Sequence, residues 1–215
     1  LHRALHDTVI ERLAERGAPV VRLFRQLVRL SLRIRCRTGW NVGRLLFKPL
    51  HRRIGPDLRM MASGGSSLDP ELARFFAGLG WDVVIGYGLT ETAPLLTINP
   101  PGSGRYDSVG RAIDGVELKL DHGKSDSAEE GEVLARGPNI FAGYYGMPDE
   151  TETSFTADGW FRTGDLGTLD ADGFLRIRGR VSTLIVTESG KNIRPEEVED
   201  AYEESPLVKE IGVLD

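Results

Sequence analysis

Cysteine is almost missing from this sequence: Cys36 is the only one in 215 residues. A single thiol forms no intramolecular disulfide and builds no cysteine-based structural metal site, so zinc chemistry is not indicated and a reducing compartment fits. Long apolar runs are missing as well. No stretch approaches the roughly 20 uninterrupted apolar residues that a bilayer crossing needs, and Leu1 to Arg16 carries too many charges for a secretory leader. There is no internal repeat and no low-complexity tract. The chain reads as cytoplasmic, and 40% apolar with 27% charged residues suits one or two domains with a real core.

Charge is present but uneven. The net value is -5, yet residues 1–53 hold 13 Lys or Arg against 3 Asp or Glu, while the remaining 162 hold 14 against 29. A basic segment of this kind is either a solvated helix face or an approach for anionic lipid head groups, an acidic carrier protein or another polyanion. Any membrane contact is then peripheral and made through these helices. No nucleic-acid partner is expected.

Residues 1–54 have helical periodicity. Leu23, Leu27, Leu30 and Ile34 form one stripe, expected to be buried, and Arg22, Arg25, Arg29 and Arg33 form another, expected to be wet. Gly17 with Pro19, and Gly39 with Asn41, divide the segment into about three helices. The texture then changes. Residues 58–62 read as a strand, followed by a Gly-Gly turn, a helix over 72–79 and a strand over 82–85, the spacing of a parallel strand–helix–strand unit. After Pro100 the sequence is β-rich, with strands expected over 115–120, 131–136, 174–177, 184–186 and 208–213. Short helices are expected over 148–155 and 195–204, each opened by a proline and acidic residues.

Four clusters carry chemistry. Gly64-Gly65-Ser66-Ser67 lies at a strand-to-helix turn, where backbone N–H groups can approach a ligand without a Cβ in the way. No lysine follows as in a P-loop, and taken by itself the pair reads as a tight structural connection. Gly86-Tyr87-Gly88-Leu89-Thr90-Glu91-Thr92 falls at a strand end, where sites form in α/β sheets. Tyr87 offers a face for a purine, Thr90 a donor for a phosphate oxygen, and Glu91 a hard ligand for Mg²⁺ bridging phosphates. A helix N-terminus capped by Thr90 is the structural alternative. Asp165, between Gly164 and Gly167, reads as a turn carboxylate able to accept both hydroxyls of a ribose, or as an Asx-turn. Arg180 can brace a ribose or phosphate oxygen, or be a surface arginine; the Ser189-Gly190-Lys191 loop follows it.

Together, the order and spacing of these clusters resemble the adenylate-forming superfamily of acyl-CoA synthetases, peptide-synthetase adenylation domains and luciferases. The match spans about Arg59 to Asp215, including Gly137-Pro138-Asn139 to Gly143-Tyr144-Tyr145. The first 54 residues match loosely, and with Phe47-Lys48-Pro49-Leu50 they look most like bacterial long-chain fatty acid-CoA ligases. The resemblance implies an α/β chain with a partial ligase fold. N-terminal helices and an α/β layer are followed by a β-rich subdomain and the start of a small mobile C-terminal α+β domain. In numbers, 1–180 would belong to the large domain (1–54 helical insertion, 55–100 α/β part, 101–180 β-rich part) and 181–215 to the small one.

Position by position, the resemblance implies that Gly64, Gly65 and Ser66 border adenine and Tyr87 stacks on it. Thr90 would touch the α-phosphate, Glu91 hold Mg²⁺, Asp165 bind the ribose and Arg180 support the nucleotide. The acyl pocket would begin near Gly86 to Gly88, and Gly88, where short-acid relatives carry a bulky aromatic, leaves room for a long tail. Ser189 and Gly190 would line the channel for the thiol of coenzyme A. The implied reaction uses ATP to make a fatty acyl-AMP and passes the acyl group to coenzyme A or to an acyl carrier protein; a non-catalytic nucleotide- or lipid-binding module is the reading from another class. Two departures stand out. Ser182 occupies the place where the domain pivot is commonly Asp or Lys. The Ser/Thr/Gly-rich phosphate loop ending in Pro-Lys does not precede Gly64, and the sequence stops at Asp215 before the adenylation lysine. The 215-residue chain is therefore expected to lack measurable ligase turnover by itself.

Overall fold

Proline and glycine place the first breaks in the chain. In the computed structural model, which describes residues 2–65, 68–102, 105–124, 129–183, 185–186, 192–193, 198–199, 202 and 211–213, α1 (His2–Ala14) ends before Gly17. Helix α2 (Ala18–Thr38) starts with Pro19 in its first turn and stops at Gly39, whose φ of 75° is left-handed. Two short helices follow, α3 (Gly43–Leu46) and α4 (Lys48–Ile54). About three helices were expected and four are present. Pro49 is the reason: it has no N–H to donate, and its ring would clash with the carbonyl one turn earlier, so a helix entering from Gly43 cannot run through it.

Contacts group the chain into two compact units, Leu1–Gly88 with Thr97–Arg111, and Leu89–Leu96 with Ala112–Asp215. In the first unit β1 (Met60–Ser63) pairs in parallel with β2 (Asp82–Tyr87), as the strand–helix–strand spacing predicts. Between them runs α5 (Pro70–Leu79), with Asp69 as N-cap accepting from Glu71 N at 2.7 Å, Pro70 in the first turn and Gly80 closing it at φ 107°. An additional strand, β3 (Thr97–Asn99), pairs antiparallel with β2, and the sheet ends on the two-residue β4 (Arg111–Ala112). Trp81, Phe76 and Leu79 are fully buried at the centre of this unit's core.

The buried face of α2 differs from the expected one. Leu23 and Leu30 are 56% and 51% exposed, whereas Val28 and Ser31 are 4% and 2% exposed. Two glycines explain the rotation. A Cβ on Gly78 of α5 would come within 2.6 Å of Val28 O, and one on Gly43 within 2.8 Å of Ser31 Oγ, so the backbones meet where side chains are small. Arg35, on the same face, donates to Trp81 O at 2.8 Å and to the Asp82 carboxylate. The expected wet stripe of Arg22, Arg25, Arg29 and Arg33 is exposed throughout. A Ser31→Leu substitution, which would lengthen the apolar stripe, is therefore expected to destabilise the chain by about 1–3 kcal/mol through overpacking, measured by urea unfolding.

The second unit is built on an antiparallel sheet in the order β5 (Glu117–Asp121), β6 (Glu130–Arg136), β7 (Phe161–Leu169), β8 (Leu175–Arg180). Helix α6 (Pro148–Thr153) precedes β7, and β9 (Ile185–Val186) pairs with β10 (Asn192–Ile193). Asp165 is thus a strand residue, not the turn residue that flanking glycines suggested. Gly164 takes φ 73° within the strand, and the register shifts between Leu166 and Gly167, so glycine here serves an irregular ladder. Ser66, Ser189 and Gly190 lie outside the described residues, as do most of the helix expected over 195–204 and residues 208–210 of the strand expected over 208–213, whose described residues 211–213 are not in a strand.

Candidate nucleotide site

In the first unit, β1 and β2 are parallel and in register at Ser63 and Ile85, so the residues just beyond them are neighbours. Gly64 and Gly65 follow β1, Gly86 and Tyr87 end β2, and a Cβ on Gly64 would lie 3.6 Å from Gly86 O. The first cluster and the Gly86–Gly88 part of the second therefore meet at the carboxyl ends of adjacent strands, where α/β sheets form ligand crevices. Gly86, Tyr87 and Gly88 are half-buried. The two leading glycines differ in why they are glycine. Gly65 has φ 80°, a left-handed backbone, whereas Gly64 has no positive φ and only an ordinary contact waiting for a Cβ. Gly65→Ala is expected to lower stability by about 1 kcal/mol, and Gly64→Ala by less than about 0.5 kcal/mol, both read from urea unfolding.

In the second unit Thr90 and Glu91 lie in a 3₁₀ turn, Thr90–Thr92, with Thr90 exposed and Glu91 half-buried. Thr92, not Thr90, does the capping. Its fully buried hydroxyl accepts from Leu89 N and donates to Leu89 O, both at 2.9 Å. Thr90 is left with its hydroxyl at the surface. A second segment clamps this turn: Asn139 Nδ2 donates to Thr92 O at 2.8 Å and Leu95 O at 2.7 Å, and Phe141 N donates to Glu91 O at 2.8 Å. Tyr144 hydroxyl donates to Glu91 Oε1 at 2.9 Å. Burial, with the hydrogen bond to Glu91 next, raises the Tyr144 pKa. The neutral phenol is favoured, so the contact holds below the ordinary tyrosine range near 10 and is lost as pH rises above it.

The aromatic ring of Phe141 packs edge-on against Phe161, 5.4 Å away, and Phe161 is the first residue of β7. Four residues along that strand stands Asp165, only 6% exposed and opposite Arg180 of β8. Arg180 Nε donates to Asp165 Oδ1 at 3.0 Å. Asp165 N donates to Thr163 Oγ1, whose own hydrogen goes to Val133 O, so the backbone at Asp165 is tied toward β6 while Arg180 holds its carboxylate from β8. Asn139, Phe141 and Tyr144 were singled out in the sequence only as part of a matching stretch. Their hold on the turn that carries Glu91 is a finding of the structure.

The AMP-binding enzyme profile matches residues 17–145. The chain belongs to this family. The matched range takes in α2, α3 and α4, so the basic helices share the family resemblance more fully than their sequence suggested. Among curated relatives, the chain is 38% identical over 171 residues to a long-chain-fatty-acid–CoA ligase of Mycobacterium bovis, covering 80% of this chain and 27% of that protein. It is 41% identical over 179 residues to a long-chain-fatty-acid–CoA ligase of Drosophila melanogaster, covering 81% and 25%. The solved structure of O-succinylbenzoate coenzyme A synthetase from Bacillus subtilis in complex with AMP superimposes with a TM-score of 0.66 at 31% identity, over 79% of this chain and 36% of that one. The same synthetase has been solved with ATP and a magnesium ion, at a TM-score of 0.64. The α/β fold is therefore that of part of an adenylate-forming ligase, and the chain spans about a quarter of the length of its curated relatives.

The residues present suit a nucleotide-borne Mg²⁺. No group of three or more His, Cys, Asp or Glu side chains that could hold a metal occurs among the described residues. Mg²⁺ that arrives with phosphates needs just one or two protein carboxylates and keeps its waters. Glu91 fits that demand: one oxygen is held by Tyr144, and the carboxylate has no other hydrogen bond among the described residues.

Proposed function

We propose that the chain is part of an ATP-dependent ligase that activates a long-chain fatty acid as acyl-AMP and transfers it to the thiol of coenzyme A. The observation that carries the reading is the posture of Glu91, a carboxylate with one oxygen fixed by Tyr144 and backbone fixed by Phe141, on the Thr-Glu turn that follows Gly86-Tyr87-Gly88. Relatives named long-chain-fatty-acid–CoA ligases support the substrate class.

In the first half-reaction a fatty carboxylate oxygen attacks the α-phosphorus of ATP in line, the bond to pyrophosphate breaks, and acyl-AMP forms. In the second, a thiolate attacks the acyl carbon and AMP leaves. No protein nucleophile is needed. Catalysis comes from holding the reactants and offsetting charge on the phosphorus oxygens. Gly64, Gly65 and Ser66 are assigned to the adenine edge and Tyr87 to its face. Thr90 donates to the α-phosphate, and Asp165, steadied by Arg180, accepts the ribose hydroxyls; Arg180 supports the nucleotide from its own strand. Glu91 is the ligand for Mg²⁺, which when bound supplies positive charge against the phosphates. Gly86 to Gly88 border the acyl group, with Gly88 leaving space for a long tail. Ser189 and Gly190 are assigned to the thiol channel, and Ser182, exposed just after β8, to the pivot of a small domain starting at 181.

The test is carboxylate-dependent exchange of labelled pyrophosphate into ATP by the full-length protein. Exchange with long-chain acids and little with acetate is expected, and exchange that ignores the carboxylate would contradict the reading. Thioester formation with free coenzyme A, compared with a phosphopantetheine carrier protein, identifies the acceptor. The exposed arginines of α2, with Leu23 and Leu30 exposed among them, support a peripheral contact with anionic lipid, the side from which a fatty acid arrives.

A further inference from the structure

Ala93 is the one non-glycine residue with a positive φ among the described residues, at φ 50° and ψ 54°, and it directly follows the Thr90–Thr92 turn. A Cβ makes this left-handed conformation unfavourable. The next residue adds to the cost. Pro94 crowds the backbone N–H and Cβ of the residue before it and favours an extended conformation there. Ala93 is exposed, so burial of its own methyl does not hold it in place. A backbone kept in a sparsely populated region needs surroundings that over-determine it, and such residues cluster at functional sites.

One side-chain amide spans the kink. Asn139 Nδ2 donates to Thr92 O at 2.8 Å, just before Ala93, and to Leu95 O at 2.7 Å, just after Pro94. Both partners are carbonyls, so the amide has a single orientation: only its NH₂ can serve them. Its Oδ1 is buried without a partner among the described residues, so the two bonds from Nδ2 are what hold it. Carbonyls three residues apart stand about 10 Å from each other in an extended chain. One nitrogen bonds both only when the chain folds back between them, as the left-handed Ala93 makes it do. The outer ends are anchored too. Thr92 hydroxyl is bonded to Leu89, and Ile113 N donates to the carbonyl of the fully buried Leu96 at 3.0 Å.

We infer that Asn139 is a positioning residue for the ligase reaction: by holding Ala93 in its strained conformation it fixes where the Thr90–Thr92 turn presents Thr90 and Glu91. The inference rests on the nucleotide reading of Glu91 given above. Asn139 acts through Thr92 and Ala93 and touches neither nucleotide nor metal. Its segment runs on to Phe141, whose N–H holds Glu91 O, so one strap fixes the turn from both sides of Thr92.

The test uses the full-length protein and two readouts, amide hydrogen exchange and carboxylate-dependent ATP–pyrophosphate exchange. In Asn139→Ala the kink is free to relax. The amides of Leu89 and Thr92, bonded to Thr92 Oγ1 and Leu89 O, are then expected to exchange at least tenfold faster, and ATP–pyrophosphate exchange to run about tenfold slower. Glycine has no Cβ to strain, so adding Ala93→Gly to Asn139→Ala should raise the rate again at least threefold. A merely structural loss would not be recovered by removing one exposed methyl. If circular dichroism shows Asn139→Ala unfolded, Ala93→Val carries the test: its branched Cβ raises the cost of the left-handed backbone while the amide stays in place, and about a fivefold loss of rate is expected. The inference is overturned if folded Asn139→Ala keeps the parental rate or the parental amide exchange, if Ala93→Gly recovers nothing, or if Ala93→Val runs at the parental rate. Glu91→Gln is the separate control. A loss there without one in Asn139→Ala ends this inference and leaves the nucleotide reading standing, whereas a parental rate in Glu91→Gln ends the reading and the inference with it.

Discussion

Replacing Glu91 with glutamine is expected to lower carboxylate-dependent ATP–pyrophosphate exchange by the full-length protein roughly 10²- to 10³-fold, the scale of losing one preorganised electrostatic partner of a reacting group. The substitution keeps the side-chain volume and an oxygen to accept from the Tyr144 hydroxyl, so the turn at Thr90–Thr92 should hold its shape. What is removed is the charge that draws Mg²⁺ and its phosphates. Raising the Mg²⁺ concentration should recover part of the rate, because the lost group acts on the metal and not on the fold. Tyr144→Phe should cost about tenfold in the same assay, the lower end for a group that orients a metal ligand. If Glu91→Gln kept the parental rate at limiting Mg²⁺, Glu91 would have no part in the chemistry.

The second large effect concerns Asp165. Asp165→Ala is expected to weaken AMP binding about 10- to 150-fold, the equivalent of about 1.5–3 kcal/mol for hydrogen bonds to a charged group. Stability should change far less. The ion pair with Arg180 links a buried carboxylate to a guanidinium that is 55% exposed, and an arginine freed at the surface regains water, so the loss should stay within about 1 kcal/mol. The two measurements together separate roles. A purely structural Asp165 would show the stability loss with unchanged affinity, and a ligand-binding one the reverse.

The sequence made these two carboxylates visible for different reasons. Glu91 stands in a seven-residue run with an aromatic, two glycines and a hydroxyl, a combination that capping alone does not demand. Asp165 stands between glycines, and that pattern named the residue while misjudging its setting: a glycine at φ 73° can serve a strand irregularity as well as a turn. The parallel β1–α5–β2 unit was legible because short apolar runs and the Gly-Gly turn set its spacing, and Asp69, Pro70 and Gly80 bound its helix in the structure. By contrast, the face of α2 was misread. Hydropathy put Leu30 inside and Ser31 out of mind, but the close approach of Gly43 and Gly78 selects the small side chain. The clamp on Glu91 was invisible for another reason. Asn139 and Tyr144 reach residues 44 and 53 positions earlier in the chain, and no local pattern encodes such a pairing.

A crystal structure of the protein with AMP and Mg²⁺ tests the account most directly. The expected result is one nucleotide whose ribose hydroxyls lie within hydrogen-bonding distance of the Asp165 carboxylate while Glu91 faces its phosphate through the metal. AMP bound elsewhere, or either carboxylate turned to a surface the nucleotide does not touch, would contradict it.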